Sequence, residues 1–221
     1  MIEIPSFNEL IEKSIVNNWD KDALTDFKGA TLQYHDVARK IEKLHIMFES
    51  SGVQRGDKIA LCGRNSSNWA VAFLATLTYG AVAVPILHEF TADQIHNIVN
   101  HSEAKLLFVG DYVATIIDQT KMPDLEGIIY IPDYSLVVSR TDKLTYAREH
   151  LNAMFGEKYP KFFRKEHVHY YREQSPEELA LINYTSGTTG FSKGVMIPYR
   201  AMWSNYDFAM KVMGSKVKRG A

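Results

Sequence analysis

Leu179-Ala180-Leu181-Ile182-Asn183-Tyr184-Thr185-Ser186-Gly187-Thr188-Thr189-Gly190-Phe191-Ser192-Lys193-Gly194-Val195-Met196-Ile197 sets hydroxyls, glycines and one lysine between two apolar runs. The run before the loop reads as a buried strand, and a second apolar segment starts at Val195. Glycines let backbone N–H groups converge on anionic oxygens, Ser and Thr hydroxyls add donors, and Lys193 supplies a mobile positive charge. Together these suit a triphosphate. A flexible Ser/Thr/Gly turn is the plain alternative, and the apolar clamps on both sides argue against it.

A Walker loop is the first phosphate site to test, and its spacing fails. Ser192 stands where the second glycine belongs, and Gly194 follows Lys193 where a Ser or Thr should hold magnesium.

Outward from the loop, segments of helical and strand period alternate, which predicts an α/β fold of mainly parallel sheets flanked by helices. Val37, Ile41, Leu44 and Phe48 form one apolar stripe that Gly52 ends, followed by a strand from Lys58 to Leu61. Ser66 or Ser67 caps a helix through Ala70 and Leu77, ending near Gly80, with a short buried strand before Pro85. Thr91 and Gln94 make a capping box for a helix ending near His101. Strands follow at Lys105–Val109 and Gly127–Ile131, and a helix is expected over Leu144–Phe155. Ser175-Pro176-Glu177-Glu178 is a helix-start signal with room for a single turn.

At 221 residues and 46% hydrophobic the chain is globular. With 25 Lys+Arg against 26 Asp+Glu its net charge is −1, which gives no general attraction to nucleic acid. The lone Cys62 lies in an apolar strand pattern with no charge partner, so it reads as a core side chain and not a nucleophile. No basic-then-apolar leader opens the sequence, which predicts a cytoplasmic protein. Trp69 to Leu87 is free of charge over about 19 residues, the length of a membrane span, but Thr76, Thr78, Tyr79, Gly80 and Pro85 divide it into a helix and a strand.

Lys158, Lys161, Arg164, Lys165 and Arg172 interleave with Tyr159, Phe162, Phe163, Tyr170 and Tyr171. That texture suits a peripheral membrane contact; dilution by Glu157, Glu166 and Glu173 favours a solvated amphipathic connection instead. His167 and His169 are expected on one strand face, and His88, His96 and His101 cluster in sequence, yet neither group has metal-ligand spacing. The acidic pair Glu177 and Glu178 fits a helix N-terminus better than acid/base work.

The loop resembles the phosphate-binding signature of the adenylate-forming enzymes, Y-T-S-G-T-T-G-x-P-K-G-V, in eleven of twelve places, counting the free one. Ser192 replaces the usual proline, and Tyr199 stands where many members carry a histidine beside the acyl pocket. Leu32–Val37, Gly52–Leu61 and Leu77–Ile86 resemble three earlier family segments in the same order, so the likeness covers nearly the whole chain. Phe90–Ile95 and Asn100–Lys105 look most like the long-chain fatty acid CoA ligases.

The resemblance implies that a carboxylate attacks the α-phosphorus of ATP, pyrophosphate leaves, and the thiol of CoA then takes the acyl group, with Mg²⁺ sharing the phosphate charge. By motif position Thr185, Ser186, Thr188 and Thr189 hydrogen-bond phosphate, Gly187 and Gly190 allow backbone approach, and Lys193 meets the β/γ charge. Lys193 and Thr188 are the catalytic assignments, and Tyr199 is placed at the substrate pocket. The family's later ribose-binding aspartate, hinge and C-terminal lysine have no counterpart within these residues. Residues 1–221 are therefore expected to be the N-terminal portion of such a ligase, inactive alone, with fatty acid, ATP and CoA as partners. A carrier-protein acceptor and a non-catalytic nucleotide-binding or interaction module are the rival readings.

Overall fold

The alternation of apolar residues along Lys58–Cys62 (β3) organises the molecule, because Ile59 and Leu61 face one hydrophobic core while Ala60 and Cys62 face another. The computed structural model describes residues 6–185 and 193–213. Two short elements precede β3 as a hairpin, Asp22–Thr25 (β1) and Thr31–Gln33 (β2). Beside them lie helices Phe7–Asn17 (α1) and Tyr34–Ser51 (α2). The α2 stripe is as expected: Val37, Ile41, Leu44 and Phe48 are all buried, and Gly52 ends the helix at φ 92°. Each such side chain contributes about 1.5–3 kcal/mol by leaving water.

After β3 come Ser67–Tyr79 (α3), Val82–Ile86 (β4), Ala92–His101 (α4), Ala104–Val109 (β5), Asp111–Ile116 (α5) and Gly127–Tyr130 (β6). Ser66 caps α3 by accepting from the Trp69 amide, Gly80 stops it at φ 86°, and Thr91 with Gln94 closes the capping box of α4. β4 runs one residue past Pro85, since extended backbone accommodates the ring and loses a single donor. Among the described residues no helix is long and apolar enough to cross a membrane. The charge-free run is divided between α3 and β4 as read.

The chain continues through Leu136–Ser139 (β7), Asp142–Glu149 (α6), Leu151–Lys158 (α7), Leu179–Thr185 (β8), Lys193–Pro198 (β9) and Tyr199–Met213 (α8). One sheet runs in the order β7-β6-β5-β3-β4-β8-β9. Its five inner strands are parallel, and β7 and β9 pair antiparallel at the two edges. The helices α1, α2, α3 and α6 pack on one face, and α4 and α5 on the other. The expected α/β architecture is thus observed, with antiparallel edges added.

Three local expectations need correction. The single helix over Leu144–Phe155 is two, because His150 leaves helical geometry (φ −98°, ψ 7°) while its amide and its Nδ1 both reach the Tyr146 carbonyl at 3.0 Å. His167 and His169 share no strand face: Lys165–His167 is a 3₁₀ turn in which His167 Nδ1 accepts the Arg164 amide, and buried Val168 separates the two rings. Glu177 and Glu178 occupy a single turn rather than a helix start. Glu177 pairs with Arg200 at 2.6 Å, and Glu178 accepts from the Tyr171 hydroxyl at 2.5 Å. The basic–aromatic stretch is a packed connection: the Tyr159 and Phe163 rings lie tilted against Phe155 and edge to face with each other, Lys158 pairs with Glu42, and Arg172 with Glu12.

Candidate functional site

β8 and β9 form the antiparallel hairpin that carries the hydroxyl-rich loop. Thr185 lies directly opposite Lys193, so both side chains share one face at the rim, and both are exposed. Ser186, Gly187, Thr188, Thr189 and Gly190, assigned to phosphate from the sequence, lie outside the described residues, as does Ser192. Thr185 and Lys193, the two assigned residues that are described, are brought together.

One residue back, the opposite face of the hairpin is closed. Tyr184 faces Gly194, and a Cβ added at Gly194 would meet the Tyr184 ring at 3.0 Å and Ile182 at 3.0 Å. The Tyr184 hydroxyl and His101 Nδ1 are 2.7 Å apart, with the two rings edge to face at 5.8 Å. Tyr184 is buried, which raises its pKa and keeps the phenol protonated. The last residue of α4 therefore pins the base of the loop, a tie the sequence reading did not find because its two members stand 83 residues apart.

A second feature shares the same edge of the sheet. Gly63 follows β3 and Gly110 follows β5, and a Cβ on Gly63 would stand 3.1 Å from the Gly110 amide nitrogen. Strand order reverses here: from β3 the chain moves to β4 on one side and from β5 to β6 on the other, with the helix after β3 on one face of the sheet and the helix after β5 on the other. This is the switch point at which α/β sheets open a crevice. The crevice has a volume of about 460 Å³ and is lined by Gly63, Arg64, Asn65, His88, Gly110 and Tyr112, among others. Arg64 makes no ion pair among the described residues, whereas His88 meets Glu89 at 3.2 Å. A glycine after each of two buried strands was the available signal. Counting on from Cys62↔Ile86, Cys62↔Val109 and Ala83↔Leu181 puts Gly63, Leu87, Gly110 and Thr185 on one level. With strands about 4.8 Å apart, the crevice and Thr185 are separated by roughly 12 Å.

Tyr199 is buried at the start of α8. Its hydroxyl donates to the Leu77 carbonyl at 2.9 Å, the Asn8 amide donates to the same hydroxyl at 3.3 Å, and the Phe7 ring lies 6.5 Å away. The tyrosine thus ties α8 to α1 and to the end of α3.

The remaining candidates for chemistry are occupied by structure. His96 is buried, its Nε2 accepts the Asp118 amide at 2.9 Å, and burial holds its pKa below the ordinary value. Cys62 is fully buried, and its thiol is pushed up to about 12. Among the described residues no three His, Cys, Asp or Glu side chains converge to hold a metal ion. A donor set of hydroxyls and one ammonium suits Mg²⁺ only as an ion carried on phosphate oxygens.

Residues 11–219 match the AMP-binding enzyme family. The chain is 27% identical over 173 residues to the putative acyl-CoA ligase YdaB of Bacillus subtilis (strain 168), covering 78% of this chain and 31% of that protein. It is 25% identical over 180 residues to the fatty acid–[acyl-carrier-protein] ligase ScoC of Streptomyces coeruleorubidus, covering 81% and 30%. The crystal structure of the anthranilate CoA ligase AuaEII in complex with anthranoyl-AMP superposes with a TM-score of 0.74 at 19% identity, covering 98% of this chain and 38% of that one. The chain spans about a third of the length of the curated relatives it matches.

Proposed function

The chain belongs to the AMP-binding enzyme family, and on that premise we propose that residues 1–221 are the N-terminal portion of a long-chain fatty acid CoA ligase. The parent activates a fatty acid with ATP to the acyl-adenylate and passes the acyl group to CoA. The observation that carries the reading is the hairpin geometry: Thr185 and Lys193 stand side by side where a strongly hydrogen-bonding loop leaves the sheet. Ser186, Gly187, Thr188, Thr189 and Gly190 complete the phosphate cradle by motif position.

In this reading the chain's own residues act by position and charge. Backbone amides and hydroxyls of the loop orient the triphosphate, and the Lys193 ammonium meets the charge that grows on the β/γ oxygens as pyrophosphate leaves. Bound Mg²⁺ supplies further neutralisation of the phosphates. Tyr199, holding its hydroxyl on Leu77, acts at the substrate pocket by fixing where α8 begins. The crevice at Gly63 and Gly110 stands within a nucleotide's length of the loop and gives the second substrate a place to approach.

The fatty-acyl preference is supported by the long-chain-like texture of Phe90–Ile95 and by a relative named for a fatty acid. A relative named for an acyl-carrier-protein acceptor keeps that acceptor as the second reading. Calorimetric titration of the 221-residue chain with MgATP tests the premise. Lys193→Ala should weaken binding about tenfold or more, the worth of a charge-assisted hydrogen bond, with an unchanged circular dichroism spectrum. Equal affinity removes Lys193 from the site. Assaying the parent with fatty acids of varied length, against CoA and against carrier protein, decides substrate and acceptor. The 221-residue chain alone should form no acyl-CoA.

A further inference from the structure

The outer face of α2, the α6–α7 junction and the turn before β7 enclose a cavity of about 370 Å³. Arg39, Lys40 and Lys43 enter it from one side of α2, and Arg148 enters from α6. Asp36 and Asp133 are the carboxylates in its wall, so four cations less two anions leave +2. The whole chain, by contrast, carries −1.

The contacts these cations already make are mostly with neutral groups. Arg39 reaches Asp36 at 3.3 Å. Lys40 lies over the Tyr134 ring, 5.7 Å from its centroid. Lys43 donates to Asn152 Oδ1 at 2.8 Å and stands over Phe155. Arg148 Nε donates to the Tyr134 carbonyl at 2.6 Å. Partial burial, followed by repulsion from Arg39, Lys40 and Arg148, holds the Lys43 ammonium below the ordinary lysine range. Buried Leu44 and Leu151 form part of the floor, and an apolar floor strengthens any charge interaction above it. Cations that outnumber the carboxylates beside them cost stability when the site is empty and favour an anion when it is filled.

We propose that this cavity is a binding site for a phosphate-class anion, with Lys40 and Lys43 as its principal ligands and Arg148 beside them. Its volume accommodates a phosphate monoester or a comparable small polyanion. The site stands apart from the β8–β9 hairpin and does not depend on the reading of that hairpin. A free phosphate compound and a lipid phosphate headgroup present the same chemistry to it.

The test is thermal unfolding of the 221-residue chain titrated with inorganic phosphate at constant ionic strength, with chloride as the reference salt. Wild type and Lys193→Ala should both show a saturable rise in Tm. The rise should be lost in Lys40→Gln/Lys43→Gln and kept in Lys40→Arg/Lys43→Arg. Comparing each variant with and without phosphate removes its baseline stability from the result. If the glutamine pair lowers stability too far to read, phosphate-induced NMR shifts at the Lys43 and Arg148 side chains of wild type give the same answer. A rise equal in chloride, a rise retained by the glutamine pair, or unmoved Lys43 and Arg148 signals would overturn the proposal. Co-sedimentation with vesicles containing phosphatidic acid, but not with phosphatidylcholine alone, assigns the site to a headgroup, and phosphate binding without co-sedimentation assigns it to a soluble compound.

Discussion

Gly194→Ala tests whether the Tyr184 ring, clamped between the hairpin and α4, sets the base of the loop. The backbone at Gly194 is not left-handed, so an alanine there is unstrained and should gain about 0.4–1 kcal/mol from the reduced entropy of the unfolded chain. Against that, the new methyl would stand 3.0 Å from Ile182 Cγ2, 3.0 Å from Tyr184 Cζ and 3.3 Å from Tyr184 Cε1. The ring cannot yield freely, since its hydroxyl is held by His101 at 2.7 Å. If it moves, a hydrogen bond worth about 0.5–1.5 kcal/mol is lost; if it stays, overpacking costs about 1–3 kcal/mol. β9 is an edge strand and can shift outward, so the lower part of that range applies.

The balance is a net destabilisation of about 0.5 kcal/mol, seen as a fall in Tm of roughly 1–2 °C for a chain of this size. The decisive measurement is the double-mutant cycle with Tyr184→Ala, followed by urea unfolding. Without the ring only Ile182 opposes the methyl, and it can shift into the space left, so the alanine should become neutral or stabilising, a coupling of about 1 kcal/mol between the two positions. Additive effects would show that the ring does not bear on Gly194, and the account of the hairpin base would fall.

Two further outcomes follow from burial. His45 Nε2 donates to the Ala75 carbonyl at 3.0 Å, with Thr78 Oγ1 also 3.0 Å away, and desolvation lowers its pKa to about 4. The unfolded chain therefore binds a proton between about pH 6.5 and 4 that the folded chain refuses. Stability should fall as pH drops through that window, by up to about 3 kcal/mol and less where water in the cavity lined by His45, Thr78 and Tyr170 screens the charge. His45→Asn should flatten that slope in chemical unfolding curves, and an unchanged slope would exclude His45 as its source. Tyr199→Phe removes a hydroxyl shared by Leu77 and Asn8 and should cost about 1–2 kcal/mol, measured by urea unfolding. A loss under about 0.3 kcal/mol would mean that the bond contributes nothing net.

Where the sequence was legible, the signal was local. Gly52 and Gly80 follow apolar helices and adopt the left-handed conformation that ends them, and Ser66 and Thr91 cap where their hydroxyls reach an amide three residues on. The helix α1 carries the same cap, Ser6 accepting from the Glu9 amide at 3.1 Å, but its core-facing side is not wholly apolar. It is anchored by Asn8, fully buried and donating to the Leu77 carbonyl at 2.9 Å, and a polar residue in a core position is invisible to a hydrophobic pattern. The break at His150 is a departure of one residue from helical dihedrals with its amide bond to Tyr146 kept, which periodicity does not encode. The hairpin limbs were read from their apolar runs, while the crevice was missed because it requires the strand order. Nothing in β3 or β5 taken singly states that the two are neighbours.

That order also explains why loop and crevice belong to one working edge. In β8, Leu181 packs on the α2–α3 side while Ile182 and Tyr184 pack on the α4 side, so by alternation Thr185 projects to the α2–α3 side. Lys193, directly opposite, projects the same way. Tyr184 takes the other face and is spent on anchoring. One strand thus divides its last two residues between holding the hairpin and presenting it. Slipping β9 by a single residue against β8 would turn Lys193 to the α4 side, away from Thr185, and set a residue with a side chain against the Tyr184 ring. The Tyr184–Gly194 fit resists that slip, since no other β9 residue leaves room for the ring.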